Sequence, residues 1–341
     1  MSTPKIQVLI TGATGYIGGT VVQLLLAHPK RDTFEITAYV RSEEKAKVLQ
    51  TFGLKTAIGT FNESDKLTDL ASKADVVINI ADADHFAGNK ALLNGLKKRY
   101  ESTKKVPAFI HTSGTGVLND DALGDRISDT IYYDSKPEQL DALPDTQIHR
   151  DVDLEIIGAD KAGYARTYII FPGTIYGTVS GKLVDTGITN RHSVQVPGLI
   201  KASLHRGNAA VVGEGKNIWP HVEINDVAQL FVIIFDAALA DSAPHGREGI
   251  FFAENGEYQL IDVSKEVAKA FYDLGIQNSP EPTPLAEAEV AAYGAQPLGA
   301  NCRARGERSR ALGWKPTKTT EDFIASIRPE VEAIVAQFAQ K

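Results

Sequence analysis

The chain has 341 residues, of which 43% are hydrophobic and 23% are charged, as in ordinary globular proteins. Its formal net charge of -7 disfavours nucleic acid and anionic membrane surfaces as partners. The single cysteine, Cys302, excludes an internal disulfide and favours a reducing compartment. No stretch reaches the roughly 18 apolar residues of a membrane span, and the N-terminus carries no secretory or transit pattern, so we expect a cytoplasmic protein.

The first half of the chain alternates short apolar runs with amphipathic segments. The apolar runs have the length of strands buried on both faces, and the segments between them have helical spacing. The predicted strands cover 6–10, 34–40, 55–58, 75–80, 108–112 and 166–170, and the main predicted helices cover 43–52, 66–71, 90–100 and 148–163. This alternation predicts an α/β protein with a Rossmann-type, doubly wound parallel sheet.

The rhythm breaks after the fifth predicted strand. Residues 114–146 are acidic, rich in turn-forming residues and weakly periodic, which predicts a long excursion over a ligand site and not a packed element. Farther along, helices are predicted near 196–205, 225–240, 260–274 and 321–338, with strands near 209–212 and 249–253. We therefore expect a dinucleotide-binding domain over 1–177, which includes the excursion, and a smaller α+β substrate-binding region over 178–341 interleaved with it.

A glycine-rich turn joins the first strand to the first helix. Within it, Gly12, Gly15 and Gly18 have GxxGxxG spacing. A pyrophosphate needs backbone N–H groups at the positive end of a helix, and side chains at the turn would block its approach. The strand-turn-helix context therefore predicts a dinucleotide site, to which further contacts are expected from Thr14, Tyr16 and Ile17.

The residues after the second strand indicate which dinucleotide is bound. An NAD-specific site usually places a carboxylate there, to hold the ribose hydroxyls of the adenosine. This sequence instead has Arg41, whose guanidinium pairs bidentately with a 2′-phosphate, and Ser42, whose hydroxyl adds a hydrogen bond. Lys45 or Lys47, one turn later, adds positive charge. The pattern favours NADP(H) over NAD(H).

Further motifs are spread over almost the whole chain. They are TGATGYIG at 11–18, Asn79-Ile80-Ala81, His111-Thr112-Ser113-Gly114, the segments 171–177 and 221–228, and Leu312-Gly313-Trp314-Lys315-Pro316. In this order they resemble the extended, atypical short-chain dehydrogenases/reductases, in the branch of the NAD-dependent epimerases/dehydratases. The resemblance implies homodimer formation through helices beside the active site, and a nicotinamide pocket lined by Ile80, Ala81, Thr112, Ser113, Pro172, Gly173 and Thr174.

The resemblance also implies where the chemistry lies. The family uses a Ser or Thr after the fifth strand, together with a Tyr-x-x-x-Lys pair on the next long helix. The tyrosine exchanges the hydroxyl proton, and the lysine lowers the pKa of the tyrosine. Ser113, or Thr112, matches the first part. The helix expected to carry the second part has His149 at the tyrosine position and Asp153 at the lysine position.

Three alternatives therefore stay open for the proton donor. His149 and Ser113 can form an unusual acid pair, with Arg150 supplying a fixed positive charge near the ribose. Tyr132 and Lys136, which have i, i+4 spacing inside the excursion, can fold down onto the site, although a proline follows them. Otherwise other donors act, or hydride chemistry has been lost.

Two other groups of residues have a simpler interpretation. The histidine and acidic residues within 221–226 suggest metal ligands, but Asp226 fits better as the cap of the following helix, so no metal is predicted. Four arginines within 303–310 form a basic cluster that binds an anionic group or, as we expect, is solvated and paired with Glu307.

These observations predict an NADP(H)-dependent oxidoreductase that acts on the carbonyl or alcohol of a small organic molecule. The substrate would lie under the 114–146 excursion, with Ser113 polarising its oxygen. Two alternatives remain: an epimerase, dehydratase or isomerase that retains its cofactor, and a non-enzymatic NADP(H) redox sensor similar to the NmrA-like proteins. The altered Tyr-Lys motif favours the sensor, whereas the well-developed C-terminal region favours an enzyme.

Overall fold

The computed structural model describes residues 4–339; residues 1–3 and 340–341, at the outer ends of the two predicted regions, lie outside the described residues. The strands are β1 (Ile6–Thr11), β2 (Phe34–Val40), β3 (Lys55–Ile58), β4 (Val76–Asn79), β5 (Ala108–Thr112), β6 (Tyr132–Tyr133), β7 (Arg166–Pro172), β8 (Thr174–Tyr176), β9 (Ala210–Val211), β10 (Ile218–Glu223), β11 (Ile250–Ala253), β12 (Glu257–Gln259), β13 (Thr283–Pro284) and β14 (Ala304–Arg305).

The helices follow the same chain order. They are α1 (Tyr16–Leu26), α2 (Glu43–Thr51), α3 (Ser64–Ala71), α4 (Phe86–Thr103), α5 (Pro137–Asp141), α6 (Arg150–Lys161), α7 (Lys182–Asp185), α8 (Gln195–Arg206), α9 (Ile224–Ala240), α10 (Leu260–Asp273), α11 (Glu287–Tyr293), α12 (Glu307–Ala311) and α13 (Thr320–Phe338). Among residues 4–339, no helix is both long and apolar enough to cross a membrane.

The main sheet has seven parallel strands in the order β11-β7-β5-β4-β1-β2-β3. The chain moves outward from β1 to β2 and β3, then returns to place β4 on the other side of β1. This reversal creates a crevice at the carboxyl ends of β1 and β4, which is where open α/β sheets bind their ligands. The predicted doubly wound Rossmann-type sheet is confirmed.

Successive side chains of the central strand β1 point to opposite faces of the sheet and pack into two separate hydrophobic cores. On β1, Leu9 packs into the core on one face, while Val8 and Ile10 pack into the core on the other. The first core includes apolar residues of α3, α4 and α6, and the second includes those of α1, α2 and α9. Burying each large apolar side chain contributes about 1.5–3 kcal/mol, so this double burial holds the strand ends in fixed positions.

The 114–146 excursion is packed, contrary to the sequence-based expectation. Its strand β6 pairs in parallel with β14, and Asp120 accepts hydrogen bonds from the backbone and side-chain N–H groups of Asn301. Asp134 is fully buried and accepts hydrogen bonds from the backbone N–H groups of Phe252 and Arg308. Local periodicity fails in this segment because its partners lie more than a hundred residues away in the chain.

The second half of the chain contributes one strand to the main sheet and forms a small sheet of its own with β8. Strand β11 extends the main sheet beside β7, while β8, β10 and β12 form a separate small sheet. In that sheet β10 runs parallel to β8 and antiparallel to β12. The sequence did not predict these three strands. Ile175 of β8 and Gln195 of α8 line one cavity together with Thr112 and Pro172, the last residues of β5 and β7, so both elements lie beside the crevice.

Candidate dinucleotide and substrate site

The turn between β1 and α1 requires glycine at two positions. Gly12 has a left-handed backbone (φ +73°), and a Cβ there would lie 2.7 Å from the carbonyl carbon and oxygen of Ile80. A Cβ at Gly18 would collide with the carbonyl group of Gly12. Within the described range, no side chain caps the N-terminus of α1, and its first turn holds no acidic residue. The N–H of Gly15 donates to the carbonyl oxygen of Gly12 (2.8 Å), so the N–H groups in the first turn of α1 are the ones available to a pyrophosphate.

A cavity of about 480 Å³, here called the Arg41 cavity, opens on one side of this turn. Its wall includes Gly12, Thr14, Gly15, Arg41, Ile80 and Ala81 from the predicted site. Lys45 also lines it, whereas Lys47 does not. Ser42 does not line the wall; its Oγ accepts a hydrogen bond from the backbone N–H of Lys45 (3.3 Å) and caps α2. As a cap the hydroxyl only accepts, so its O–H donor is left for the predicted cofactor contact, which stays a prediction.

A second cavity of about 320 Å³, the Thr112 cavity, adjoins the first and shares Gly15, Ile80 and Asn190 with it. From the predicted site, its wall also holds Tyr16, Ile17, Gly18, Thr112, Ser113, Pro172 and Gly173. Thr174 lies behind this wall, where its hydroxyl hydrogen-bonds Tyr258 Oη (2.8 Å) and Gln195 Oε1 (3.1 Å). Thr174 therefore orients Gln195, a wall residue, and does not itself face the cavity.

A third cavity of about 590 Å³, the Trp219 cavity, continues from the second. The two share Ser113, Pro172, Gly173, Val194 and Gln195. The remaining wall comes from the start of the excursion, from Ile148 and His149 before α6, from α8, from Trp219 of β10, and from α11 and the chain on either side of it. The three cavities thus follow one another past the carboxyl ends of β1, β4, β5 and β7.

Ser113 contacts a buried carboxyl group. Its Oγ donates a hydrogen bond to Asp153 Oδ2 over 3.1 Å, and Asp153 Oδ1 has no hydrogen-bond partner among the described residues. Burial raises the pKa of Asp153 to about 8, against smaller lowering effects of the Ser113 hydrogen bond and of the Arg150 charge. The carboxyl group is therefore mostly protonated at neutral pH.

His149 reaches the same wall from the N-terminus of α6. Its backbone is left-handed (φ +70°), and its Nδ1 lies 2.5 Å from Asp84 Oδ1. A Cβ on Gly114 would lie 3.2 Å from His149 Nε2, so the missing side chain at Gly114 leaves room for the imidazole ring. His149 and Ser113 both line the Trp219 cavity. The structure therefore brings these two predicted residues together.

Tyr132 and Lys136 lie elsewhere. Tyr132 belongs to β6 and is paired with Ala304 of β14, and the Lys136 ammonium lies 4.3 Å from the centre of the Tyr133 ring. Neither residue lines any of the three cavities. The structure thus contradicts the alternative in which this pair folds down onto the site, because the pairing with β14 holds the segment against the C-terminal region.

A buried polar network links the ends of β1, β4 and β5. Thr11 Oγ1 donates to Asn79 Oδ1, and Asn79 Nδ2 donates to Asn89 Oδ1 (2.6 Å) and contacts His111 Nδ1 (3.0 Å). Burial lowers the pKa of His111 to about 3, so its ring is neutral. Sequence reasoning did not single out this network, although a polar residue at the end of each of three buried strands is its signal.

The acidic residues near β10 act differently from the prediction. The side chain of Glu223, not of Asp226, caps α9 by accepting hydrogen bonds from the N–H groups of Asn225 (2.7 Å) and Asp226 (3.3 Å). The Asp226 carboxylate instead accepts from the N–H of Thr317 (3.0 Å). Among residues 4–339, no group of three or more His, Cys, Asp or Glu side chains is placed to hold a metal ion.

The four arginines of the 303–310 cluster pair with carboxylates other than Glu307. Arg303 and Arg305 both bind Glu257, while Arg308 and Arg310 bind Glu248 and Glu254. Glu307 instead accepts a hydrogen bond from Ser135. The expected pairing with Glu307 is therefore wrong, but each of the four arginines does form an ion pair with a carboxylate. Nearby, Cys302 is fully buried and its Sγ donates to the carbonyl oxygen of Thr115 (2.8 Å).

Comparisons with known proteins agree with this architecture. A family model described as NAD(P)H-binding matches residues 12–149. Oxidase ucsJ of an Acremonium species is 30% identical, and the match covers 98% of each chain. The crystal structure of UDP-glucose 4-epimerase from Thermotoga maritima superposes with a TM-score of 0.64, at 14% identity, over 98% of this chain and 100% of that one. DesIV, a dTDP-glucose 4,6-dehydratase from Streptomyces venezuelae, gives a TM-score of 0.65 at 17% identity, over 95% of this chain and 96% of its own.

The sheet, the glycine turn and the crevice define an NAD(P)-binding protein of the Rossmann class. The full-length similarity to an oxidase and the shared fold of the epimerases and dehydratases place it more narrowly. The chain belongs to the extended short-chain dehydrogenase/reductase family, as its motifs predicted.

Proposed function

We propose that this protein is an NADP(H)-dependent oxidoreductase that interconverts a carbonyl and an alcohol in a small organic molecule. The observation that carries the proposal is the position of Ser113. It lies in the walls of both the Thr112 cavity and the Trp219 cavity, so one hydroxyl faces both a cofactor site and a substrate site. A group at that junction is where an oxidoreductase needs a hydrogen-bond donor to the reacting oxygen.

The Arg41 cavity supports NADP(H) as the cofactor. Arg41 and Lys45 both line it, and two cations favour a 2′-phosphate on the adenosine ribose. The usual mark of an NAD site is a carboxylate directly after β2. Asp82, the acidic residue in the described wall, follows β4 instead.

The remaining cofactor contacts would come from residues already described. The turn at Gly12, Gly15 and Gly18 would bind the pyrophosphate, and Thr112 and Pro172 would border the nicotinamide. When bound, the nicotinamide supplies or accepts a hydride.

Protein side chains would hydrogen-bond the substrate oxygen and transfer its proton. In the structure Ser113 Oγ donates to Asp153 Oδ2, but because Asp153 is mostly protonated at neutral pH, this hydrogen bond can reverse when substrate binds. The carboxyl group then donates to Ser113 Oγ and frees the serine hydrogen for the substrate oxygen. With Nδ1 held by Asp84, His149 presents Nε2 to the cavity, where it gives a proton to the nascent alkoxide or takes one from the alcohol.

The test is an NADPH-oxidation screen of the full chain against aldehydes, ketones and quinones, repeated with Ser113→Ala and with His149→Asn. We expect turnover on at least one class, and a fall of about 10²-fold or more in kcat in each variant. Conversion of a compound without net NADPH oxidation would indicate a cofactor-retaining isomerase or dehydratase. Tight NADPH binding without turnover of any compound would indicate a sensor, and either result would overturn the proposal.

A further inference from the structure

The Trp219 cavity has an unusual charge composition for a site next to a dinucleotide. Its described wall contains no Lys, Arg, Asp or Glu side chain. Phosphate groups are expensive to remove from water unless cations or several N–H donors replace their hydration. A phosphorylated or nucleotide-linked substrate would have no such compensation in this cavity.

Three polar side chains of the wall lie at one end of the cavity; of the others, Thr115 Oγ1 donates to the carbonyl oxygen of Pro172, and Asn119 Oδ1 has no hydrogen-bond partner among the described residues. Ser113 and Gln195 lie where the cavity meets the Thr112 cavity, and His149 is beside them. The rest of the wall is largely apolar, with Leu199, Ala202, Leu285, Pro297 and Leu298. A molecule that fits this pattern has one reacting oxygen at its polar end and a hydrocarbon body.

Aromatic rings contribute to the apolar part of the wall. The indole of Trp219 donates its Nε1–H to the carbonyl oxygen of Ala300 (2.7 Å), so the polar atom of this side chain is already satisfied. What Trp219 offers to the cavity is therefore ring surface, and Tyr293 adds a second ring. Flat, unsaturated molecules pack well on such rings.

The mouth of the cavity is also apolar. Three large hydrophobic wall residues are exposed to solvent: Ile148 (47%), Val194 (85%) and Tyr293 (40%). Exposed hydrophobic side chains that cluster around a cavity mark a binding site more often than a free surface. A ligand that covered these three side chains would remove their apolar surface from water, and this burial would favour binding.

We propose that the substrate is an uncharged molecule with an apolar ring system, an aromatic or polycyclic ketone or its alcohol, and not a phosphorylated or nucleotide-linked sugar. This inference rests on the proposed function for the identity of the reacting group, but it concerns the class of molecule that the Trp219 cavity binds. The volume of about 590 Å³ suits a compound of two to four fused rings.

Binding without turnover separates this inference from the proposed function. We would load the full chain with NADP⁺, which cannot reduce a ketone, and titrate it by calorimetry with 2-acetonaphthone, with 1-tetralone and with UDP-glucose. We expect micromolar binding of at least one ketone, with a negative heat-capacity change, and at least 100-fold weaker binding of UDP-glucose. Ketone binding combined with failure of the NADPH-oxidation screen would leave this inference standing while the proposed function fell.

Two matched variants show whether the ketone occupies the Trp219 cavity. Tyr293→Ala removes a ring from the mouth, and we expect about tenfold weaker ketone binding. Tyr272→Ala removes a similarly exposed ring (49%) from α10, outside the cavity, and should leave binding unchanged. Equal losses in both variants, no binding of either ketone, or UDP-glucose binding as tight as that of the ketones would each overturn the inference.

Discussion

The hydroxyl of Ser113 donates a hydrogen bond to a carboxyl group, that of Asp153, which is shielded from water and lies on the helix that follows the excursion. The Tyr-x-x-x-Lys motif of the short-chain dehydrogenases/reductases would place a lysine where this chain has Asp153. A lysine would bring a positive charge to the site, whereas Asp153 brings a neutral, proton-bearing group. In the proposed reaction, Asp153 would be a positioning residue that acts through Ser113.

Replacing Asp153 by Asn should change how stability depends on pH. Because burial raises the pKa of Asp153 to about 8 in the folded protein, the folded state holds a proton that the unfolded state releases near pH 4. The contribution of Asp153 to the free energy of unfolding therefore falls as pH rises from about 4 to about 8. Between pH 6 and pH 8 we expect the native chain to lose about 2 kcal/mol more than Asp153→Asn, measured by urea unfolding. Parallel pH profiles of the two proteins would contradict the raised pKa.

His149→Asn should remove the proton donor without disturbing the backbone. Asparagine tolerates the left-handed conformation of this position (φ +70°), so stability should change by less than about 1 kcal/mol. If His149 transfers the substrate proton, kcat should fall by about 10²–10⁴-fold. His205→Asn, on the exposed end of α8, is the control and should keep both its stability and its kcat. An unchanged kcat in His149→Asn would assign the proton transfer to another group.

Gly12→Ala should abolish dinucleotide binding. The added Cβ would lie 2.7 Å from the backbone of Ile80, and the left-handed backbone adds strain. Gly275→Ala is matched for strain, since Gly275 has φ +72°, but a Cβ there meets nothing within 4 Å. We expect both variants to lose about 1 kcal/mol or more of stability, while calorimetry shows lost NADPH binding in Gly12→Ala alone. NADPH binding that survives Gly12→Ala would remove the pyrophosphate from this turn.

Arg41→Asp should change the choice of cofactor. If Arg41 binds the 2′-phosphate, NADPH affinity should drop by about 10–100-fold or more, and NADH affinity by much less. Lys47→Asp makes the same change in charge on α2 without lining the cavity, and its effect on both cofactors should be small. Calorimetric titration with each cofactor measures the four affinities. Equal losses of NADPH and NADH affinity in Arg41→Asp would leave no case for NADP(H).

Most of the main sheet was predictable from sequence because its central strands are buried on both faces. Three strands, β2, β3 and β5, begin and end at the predicted residues. Mostly apolar runs explain this for β2 and β5, whereas β3 is an edge strand with no buried residue. The glycine turn was equally clear, because its GxxGxxG spacing falls between a strand and a helix that are adjacent in the chain. The contact that requires Gly18 is with Gly12 in the same turn, whereas the contact that requires Gly12 is with Ile80, after β4, and could not be read from the local sequence.

Polar side chains were less predictable, because sequence does not show which partner each one finds. Ser42 follows β2 at the right place for a phosphate contact, yet it also precedes α2 and serves as its cap. Glu223 and Asp226 both precede or begin α9, and only the end of β10 decides which of them caps it. Asp153 was visible as a departure from the family motif, but its contact with Ser113 needed the three-dimensional structure.

The loop that carries Ser113 is braced by residues from the opposite end of the chain. Cys302 Sγ holds the carbonyl of Thr115, 187 positions earlier, and Asn301 holds Asp120. The nucleotide-binding half is consequently not a portable module. A polypeptide that stopped before Asn301 would keep strands β1 to β13 and still lose both contacts that hold the loop of Ser113, so the two ends of the chain have to be expressed and engineered together.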